Sequence, residues 1–584
     1  MTTPDGGGRL RTRRGSQVAA GLAATVLLLA ALAAWALASP VGSSPDDNFH
    51  LANIYCSAGQ ANCRAEGVRE VPCYAGDGNV SADCQHDAGV EVPSTTGIRG
   101  GWYPPLYYST MSTVVGDTVR TTTLTVRLAN SVLAVVLLIG SLALSSRRLR
   151  PAVALSWLVA AVPLGMFLFA SINPNAWSVI GVAACWGPAL SFLIGDDRRS
   201  GAPRDDGRSE MPDDEGSWIP REAGAPRFPW RPAARIAFVA LSALIALGAR
   251  SESPLFVTGA ALAVTALGFQ RDHWRRALLP AFMVAAAISF YLFYGASKFA
   301  EMLSYQQDGT VRIWDLTVGV AVLPFRGLGP DGPLSWLDTA VPASATVPAV
   351  AAFAAACVIG LARIDTRKAL ALLAFLAVCQ VGGTVAAYQA MSTGNNLQPR
   401  YFLPALFVIA GLSLMLSGLL TAPLDGEIAS ARSSGPCAPH FTSLQFWLIA
   451  AAVIVANSVA LLTVVSRFAF GVGPLELDRL AGIGRPPWWW ESLPIGPFAV
   501  WLLGSAAFAA AVVVAFLLIP GLRRHHDSAV SRSRIRAAIR SGEVAPTSEP
   551  SPANPAAPDS TPAPSSAPAQ APVLPAGTME TNPN

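Results

Sequence analysis

The feature that most limits this chain is a succession of apolar runs, each about 15–25 residues long, separated by short charged connections. At about 1.5 Å per residue, a helix of roughly 20 residues crosses a hydrocarbon core of about 30 Å. One such run can sit in the core of a soluble protein; a long series of them needs a bilayer. The composition agrees. Of 584 residues, 52% are hydrophobic and 13% charged, with a mean hydropathy of +0.42. Soluble domains carry about 25% charged residues, so an ordinary soluble globular protein is excluded. The net charge of +4 lies in small clusters between the runs, which is a topology signal and not a nucleic-acid surface.

The runs fall near 18–38, 124–145, 151–170, 177–194, 235–249, 254–269, 277–294, 343–362, 369–390, 401–420, 445–466 and 497–519. They predict an all-α membrane protein of about twelve transmembrane helices; the short pair at 235–249 and 254–269 also reads as a re-entrant hairpin. The first run follows Arg11, Arg13 and Arg14 and is longer than the apolar part of a cleaved signal, so it is read as a retained helix. Positive charge then tests the alternation. With the N-terminus inside, the inside connections hold Arg147, Arg148 and Arg150, then Arg198 and Arg199, then Arg271, Arg275 and Arg276, then Arg363, Arg367 and Lys368. Arg523 and Arg524 follow the last run, and only 421–444 lacks a cluster. The expectation is two cytoplasmic termini: a short segment 1–17, a membrane domain 18–520 with a first extracytoplasmic loop 39–123, and a tail 521–584. The loop 196–232 and the Pro/Ala/Ser-rich tail have too few apolar residues to offset ordering entropy, and both read as disordered.

Four of the eight cysteines (Cys56, Cys63, Cys73 and Cys84) lie in the first loop. Their spacings lack the close pair of a zinc site. An oxidising compartment favours two disulfides. Three pairings exist, and sequential pairing, which closes the shortest loops, is the expected one.

The same loop begins Ser44-Pro45-Asp46-Asp47-Asn48-Phe49-His50. In a helix, Asp46 and His50 are four apart and Asp47 and His50 three apart, so they share a face. A carboxylate there can serve as general base or help hold a divalent metal. Ser44 as N-cap with Asp47 as its capping-box partner explains the same residues without chemistry, and both readings stay open. Further on, Gly101-Trp102-Tyr103-Pro104-Pro105-Leu106-Tyr107-Tyr108 is an interfacial aromatic belt or a face for sugar rings; Trp488-Trp489-Trp490 reads as belt. Asn173-Pro174-Asn175 is a turn signal. Gln398-Pro399-Arg400-Tyr401 opens a run, and Arg400 is either a snorkelling side chain or a fixed cation for a lipid-linked phosphate. Lys298 and Arg312 are weaker phosphate candidates.

These motifs occur in a recognisable order: Pro45-Asp46-Asp47-Asn48-Phe49-His50, Pro104-Pro105-Leu106-Tyr107-Tyr108, Arg127-Leu128, Asn173-Pro174-Asn175, Gln398-Pro399-Arg400-Tyr401. Over about residues 18 to 520 the chain resembles a bacterial family of polytopic membrane proteins of unassigned function. That family looks like a distant branch of the GT-C class of lipid-carrier-dependent glycosyltransferases. The resemblance implies a multi-pass protein of the bacterial plasma membrane that moves a sugar from a polyprenyl-phosphate donor to a glycan or lipid acceptor outside, in envelope glycan synthesis. It implies Asp46, Asp47 and His50 as catalytic residues, and Arg400, Tyr401, Asn173, Asn175 and Tyr103 as substrate-binding ones. Its partners would be the bilayer, the lipid-linked sugar and the acceptor, with no nucleic acid. The chain departs from the family pattern at Asp47, where Glu is usual, at Asn175, where an acid is common, and at Pro399, where Gly is usual. A neutral Asn weakens any metal site, so a divalent cation is left open. Two rivals stand beside this reading. A transporter or flippase of lipid-linked sugars would need ionisable groups near the midplane. A non-catalytic envelope scaffold would not need the acidic pair.

Overall fold

Helix length divides the apolar runs into two groups. The computed structural model describes residues 6–44, 46–58, 73–85, 103–195, 230–294, 313–329, 334–335, 337–362, 364–392, 397–415, 443–473, 477–481, 488–490 and 493–518. All of these lie in one unit, Met1–Ser528. Pro45, Cys63, Lys298, Arg312, most of the 196–232 loop and the whole 521–584 tail fall outside the described residues. The helices are α1 Gly6–Leu37, α2 Asp47–Ser57, α3 Leu106–Met111, α4 Val119–Leu144, α5 Arg150–Ala160, α6 Leu164–Phe169, α7 Asn175–Ile194, α8 Arg231–Leu247 and α9 Ser253–Gly268. They continue as α10 Leu278–Tyr294, α11 Ile313–Arg326, α12 Ala343–Leu361, α13 Thr366–Ser392, α14 Pro399–Leu414, α15 Ser443–Phe470, α16 Leu477–Ala481 and α17 Pro497–Leu518.

Among the described residues, eight helices are long and apolar enough to cross a membrane: α1, α4, α7, α10 with its 3-10 lead-in, α12, α13, α15 and α17. Of the about twelve expected, eight are found by that measure. The run 151–170 breaks at Pro163, which lacks an amide hydrogen, leaving α5 and α6 at 11 and 6 residues. The runs at 235–249, 254–269 and 401–420 yield α8, α9 and α14 at 17, 16 and 16 residues. At 1.5 Å per residue that is about 24–26 Å, at or just below the lower end of the usual spanning range. These short helices, α8, α9 and α14, all lie against α7, almost every residue of which is buried. Close approach is built in. A Cβ at Gly181 of α7 would come within 2.5 Å of the Ser242 carbonyl of α8. Outer helices keep apolar rows exposed, such as Val18, Leu22 and Val26 on α1, or Leu444 and Leu448 on α15. Rows at i, i+4 spacing with no protein cover suit acyl chains.

Buried cations tie the helix ends together. The last carbonyls of a helix have no partner within it and favour positive charge. Arg127 of α4 donates to Ala36 O, Ser39 O and Pro40 O at the end of α1, at 2.7–2.9 Å. Arg235 of α8 donates to Leu144 O of α4 and Ser191 O of α7. Lys368 of α13 donates to Gly360 O of α12 and to Met415 O beyond α14. Trp489 and Trp490 donate their indole N–H to Leu37 O, at 3.1 and 3.0 Å, and both are buried. Those two are therefore caps on α1 and not the interfacial belt that their position suggests.

In the first loop Cys73 and Cys84 form a disulfide, with Cα atoms 6.1 Å apart. Cys56 is disulfide-bonded as well. The segment between Cys73 and Cys84 is held by Arg467 near the end of α15, which donates to Tyr74 O, Asp77 O and Val80 O and pairs with Asp338 at 2.9 Å. Gly471 ends α15 at φ +87, and a Cβ there would meet the Asn79 carbonyl at 2.4 Å, so only glycine fits.

Candidate functional site

Neighbouring acids at the start of α2 go to different places. Asp47 is wholly buried. Its Oδ2 accepts from Arg127 Nη2 at 3.2 Å, and its Oδ1 accepts from Ser44 Oγ at 2.9 Å and from the Ile172 amide at 3.1 Å. Arg127 is itself held by three carbonyls and by Ser43 Oγ. Burial pushes the Asp47 carboxyl above its ordinary value, with Arg127 and Ser44 acting against that push. The group joins α1, α2, α4 and the turn before α7.

Asp46 turns the other way. It is the N-cap of α2, in the left-handed region at φ 60, and makes no side-chain cap. An Asp cap is ordinarily worth about 1 kcal/mol, and positive φ is costly for a residue with a Cβ. What it gains is Arg400: Asp46 Oδ2 accepts from Arg400 Nη2 at 2.6 Å. The Asp46 side chain is 46% exposed and that of Arg400 is 4% exposed. Arg400 sits in the first turn of α14, where the helix dipole favours an anion. Its Nε and Nη1 are buried and have no hydrogen-bond partner. A buried donor left unmet costs about 1–3 kcal/mol, so this guanidinium is built to receive something more.

Aromatic rings and a second ion pair surround it. Arg250 lies just before α9, with its guanidinium 4.9 Å from the Tyr103 ring and 4.7 Å from the Tyr401 ring. Its Nε and Nη2 donate to Glu252 Oε2 and Oε1 at 3.2 and 3.3 Å. Arg400 in turn packs on Tyr401 at 5.1 Å and donates to its hydroxyl. His50, one turn beyond Asp46, is fully buried; its ring lies 5.7 Å from Tyr103 and its Nδ1 is 2.9 Å from the Tyr108 hydroxyl. His50 Nε2 has no partner. Burial, then Arg250 and Arg400, hold the imidazole well below its ordinary 6.5, so it is neutral at pH 7. Burial likewise raises the Tyr103 phenol and keeps it protonated.

The structure thus brings Asp46, His50, Tyr103, Arg400 and Tyr401 into one cluster. Asp47 is next to them in the chain but inside the fold. Asn173 and Asn175 belong to the Asp47 side: Asn173 Oδ1 accepts the Asn175 amide at 2.9 Å in the turn that starts α7, directly after Ile172. Arg250 and Glu252 join the cluster without having been singled out in the sequence, and Tyr108 joins it from the aromatic run 101–108. The available signal is Arg250-Ser251-Glu252, an opposite-charge pair between two short apolar runs. Among the described residues, no group of three or more His, Cys, Asp or Glu lies together in a way that would hold a metal ion.

Arranged in this way, the cluster can hold an anion on Arg400 and present a carboxylate beside it. Two comparisons found nothing: no curated protein matches the chain, and no solved structure does. Over residues 29–208, the part holding Asp46, Asp47, His50, Tyr103, Arg127 and Asn173 but not Arg250 or Arg400, the chain is similar to a family described as "Predicted membrane protein (DUF2142)".

Proposed function

We propose that this multi-pass membrane protein is a glycosyltransferase that takes a sugar from a polyprenyl-phosphate donor and transfers it to a hydroxyl of a glycan or lipid acceptor at the extracytoplasmic face. The observation that carries the reading is the Asp46–Arg400 pair: a half-exposed carboxylate against a buried guanidinium with two unmet donors, 354 residues apart in the chain. Transfer breaks the bond between the anomeric carbon and the phosphate oxygen, and negative charge grows on the departing phosphate. A cation placed in advance stabilises that charge more in the transition state than in the ground state. Arg400, at the N-terminal turn of α14, serves this role. Asp46 takes the proton of the attacking hydroxyl as the new glycosidic bond forms. His50 stays neutral and offers Nε2 to the bound ligand. Asp47 acts at a distance by holding the start of α2 in place.

Two features support chemistry over ion-coupled transport. The basic residues Arg127, Arg235 and Lys368 are bonded to backbone carbonyls, which fixes them as structural ties. The acid and the base lie together at helix ends, outside the spans. The test is transfer in proteoliposomes supplied with a panel of polyprenyl-phosphate sugars and an envelope-glycan extract. Wild type should consume one donor, Asp46→Asn should abolish product, and Arg400→Ala should weaken donor use. Full turnover by both variants removes the proposal.

A further inference from the structure

The geometry points to a ligand exchange at Arg400: an incoming phosphate displaces the Asp46 carboxylate, so that binding the anion and freeing the base are one event. This rests on the reading above that Arg400 receives a phosphate.

Three observations carry it. First, Asp46 already occupies the position an anion would take, with one carboxylate oxygen 2.6 Å from Nη2 at the N-terminal turn of α14. It satisfies only that nitrogen, which both bidentate edges of the guanidinium share, and leaves Nε on one edge and Nη1 on the other without partners. A phosphate has enough oxygens to meet several of these donors, and guanidinium geometry matches it in bidentate fashion. Second, the two partners differ in freedom. Arg400 is buried and packed on Tyr401, whereas nearly half of the Asp46 side chain is exposed. If one partner leaves, it is the aspartate. Third, Asp46 is held in a state it would not choose alone. It sits at φ 60 and forgoes its own helix cap, so leaving Arg400 lets it return to capping α2 or reach an acceptor. The neighbour Asp47 is fixed by Arg127, Ser44 and the Ile172 amide, so the exchange moves one side chain without loosening the helix.

The consequence is an order of events. With no donor bound, Asp46 is neutralised by Arg400 and is a poor base for any hydroxyl, water included. Once phosphate is bound, the carboxylate is released next to the sugar it must serve. An internal carboxylate also competes with the ligand, so the apparent affinity is lowered by the fraction of time the pair is closed.

The experiment measures binding of two probes, decaprenyl phosphate in nanodiscs and inorganic phosphate in solution, to wild type, Asp46→Asn, Asp46→Ala and Arg400→Ala. Removing the competitor should tighten binding about two- to fivefold in both Asp46 variants, the scale of an ion pair with one partly exposed member. Arg400→Ala should lose it. Tightening for decaprenyl phosphate alone assigns the site to the lipid-linked anion, and tightening for both assigns it to the phosphate group itself; either supports the exchange. Two Asp46 variants serve because one of them can fail to fold, and size-exclusion profiles check each. Equal or weaker binding by both Asp46 variants, with binding still lost in Arg400→Ala, overturns the exchange and leaves the phosphate reading standing. Binding indifferent to Arg400 overturns both. A kinetic signature follows as well: Asp46→Asn should bind donor more tightly yet turn over less, splitting KM from kcat in opposite directions.

Discussion

Asp46 and Asp47 are chain neighbours of the same type, each pairs with an arginine, and the two pairs differ in nearly every other respect. Asp47–Arg127 is closed: neither side chain reaches solvent, and each carboxylate oxygen accepts from within the fold. Asp46–Arg400 is open: one partner is half exposed, and the other has two unmet nitrogens. The difference comes from where each arginine sits. Arg127 faces the carbonyl end of α1, which takes up both of its Nη nitrogens and leaves only Nε unmet. Arg400 sits at the amide end of α14, where no carbonyls are on offer. A buried cation at a helix C-terminus is a tie; one at an N-terminus is a receptor.

The comparison breaks most visibly in rate. Asp46→Asn should lower transfer by about 10²–10⁴-fold, the range for a lost general base, with the melting temperature in detergent nearly unchanged. A large fall in melting temperature would make Asp46 a structural group like its neighbour. Stability should show the reverse pattern. Arg127→Ala leaves the Asp47 carboxylate buried and unpaired and should cost about 3–5 kcal/mol, seen as lost folded protein in the membrane fraction. Arg400→Ala should leave the yield near wild type, because its partner Asp46 can turn to water. Equal yields for the two arginine variants would erase the distinction between tie and receptor.

How much of this was legible in the sequence follows the same division. Apolar runs located the membrane helices, because hydropathy acts locally. About twelve spans were expected and eight helices are long enough by that measure; the stretches at 235–249, 254–269 and 401–420 form shorter helices that lie against α7. Asp46, His50 and Arg400 stood out as polar groups at the ends of such runs. The separate fates of Asp46 and Asp47 were not legible, since the outcome depends on Arg127, 80 residues from Asp47 in the chain. Arg250 and Glu252 escaped notice because a short charged turn between apolar helices looks like any other turn. Only the approach of Tyr103 and Tyr401 makes it part of a site.

The disulfide sharpens the comparison at intermediate size. Cys73–Cys84 closes a short segment whose Tyr74 donates its hydroxyl to Val41 O, in the stretch between α1 and α2, and whose carbonyls hold Arg467. That is the closed side of the region. Replacing both cysteines by serine should cost roughly 2–3 kcal/mol on the chain-entropy estimate, lowering the melting temperature. Phosphate binding by the remaining folded protein should be retained, since no residue of this segment touches Arg400 among the described contacts. Loss of phosphate affinity at full stability would show that the loop belongs to the open side after all.

The smallest effect expected is a pH dependence, and it separates the two sides by sign. His50 is buried and neutral, with its folded-state value well below the ordinary 6.5. Below about pH 6.5 the unfolded chain binds a proton that the folded chain does not. Its contribution is therefore complete above that pH and is lost as pH falls, by at most about 1.4 kcal/mol per unit. Asp47 behaves oppositely. Its folded-state value is raised above 3.8, so the folded chain binds a proton first, and acidification toward that range adds stability. Melting curves between pH 7.5 and 5 should show wild type losing stability on acidification, and His50→Gln losing less over the same interval. The difference between the two curves isolates the imidazole and removes every carboxylate common to both. Parallel curves would mean that the imidazole takes up its proton as readily in the folded chain as in the unfolded one, against the burial and the two guanidiniums that hold it down.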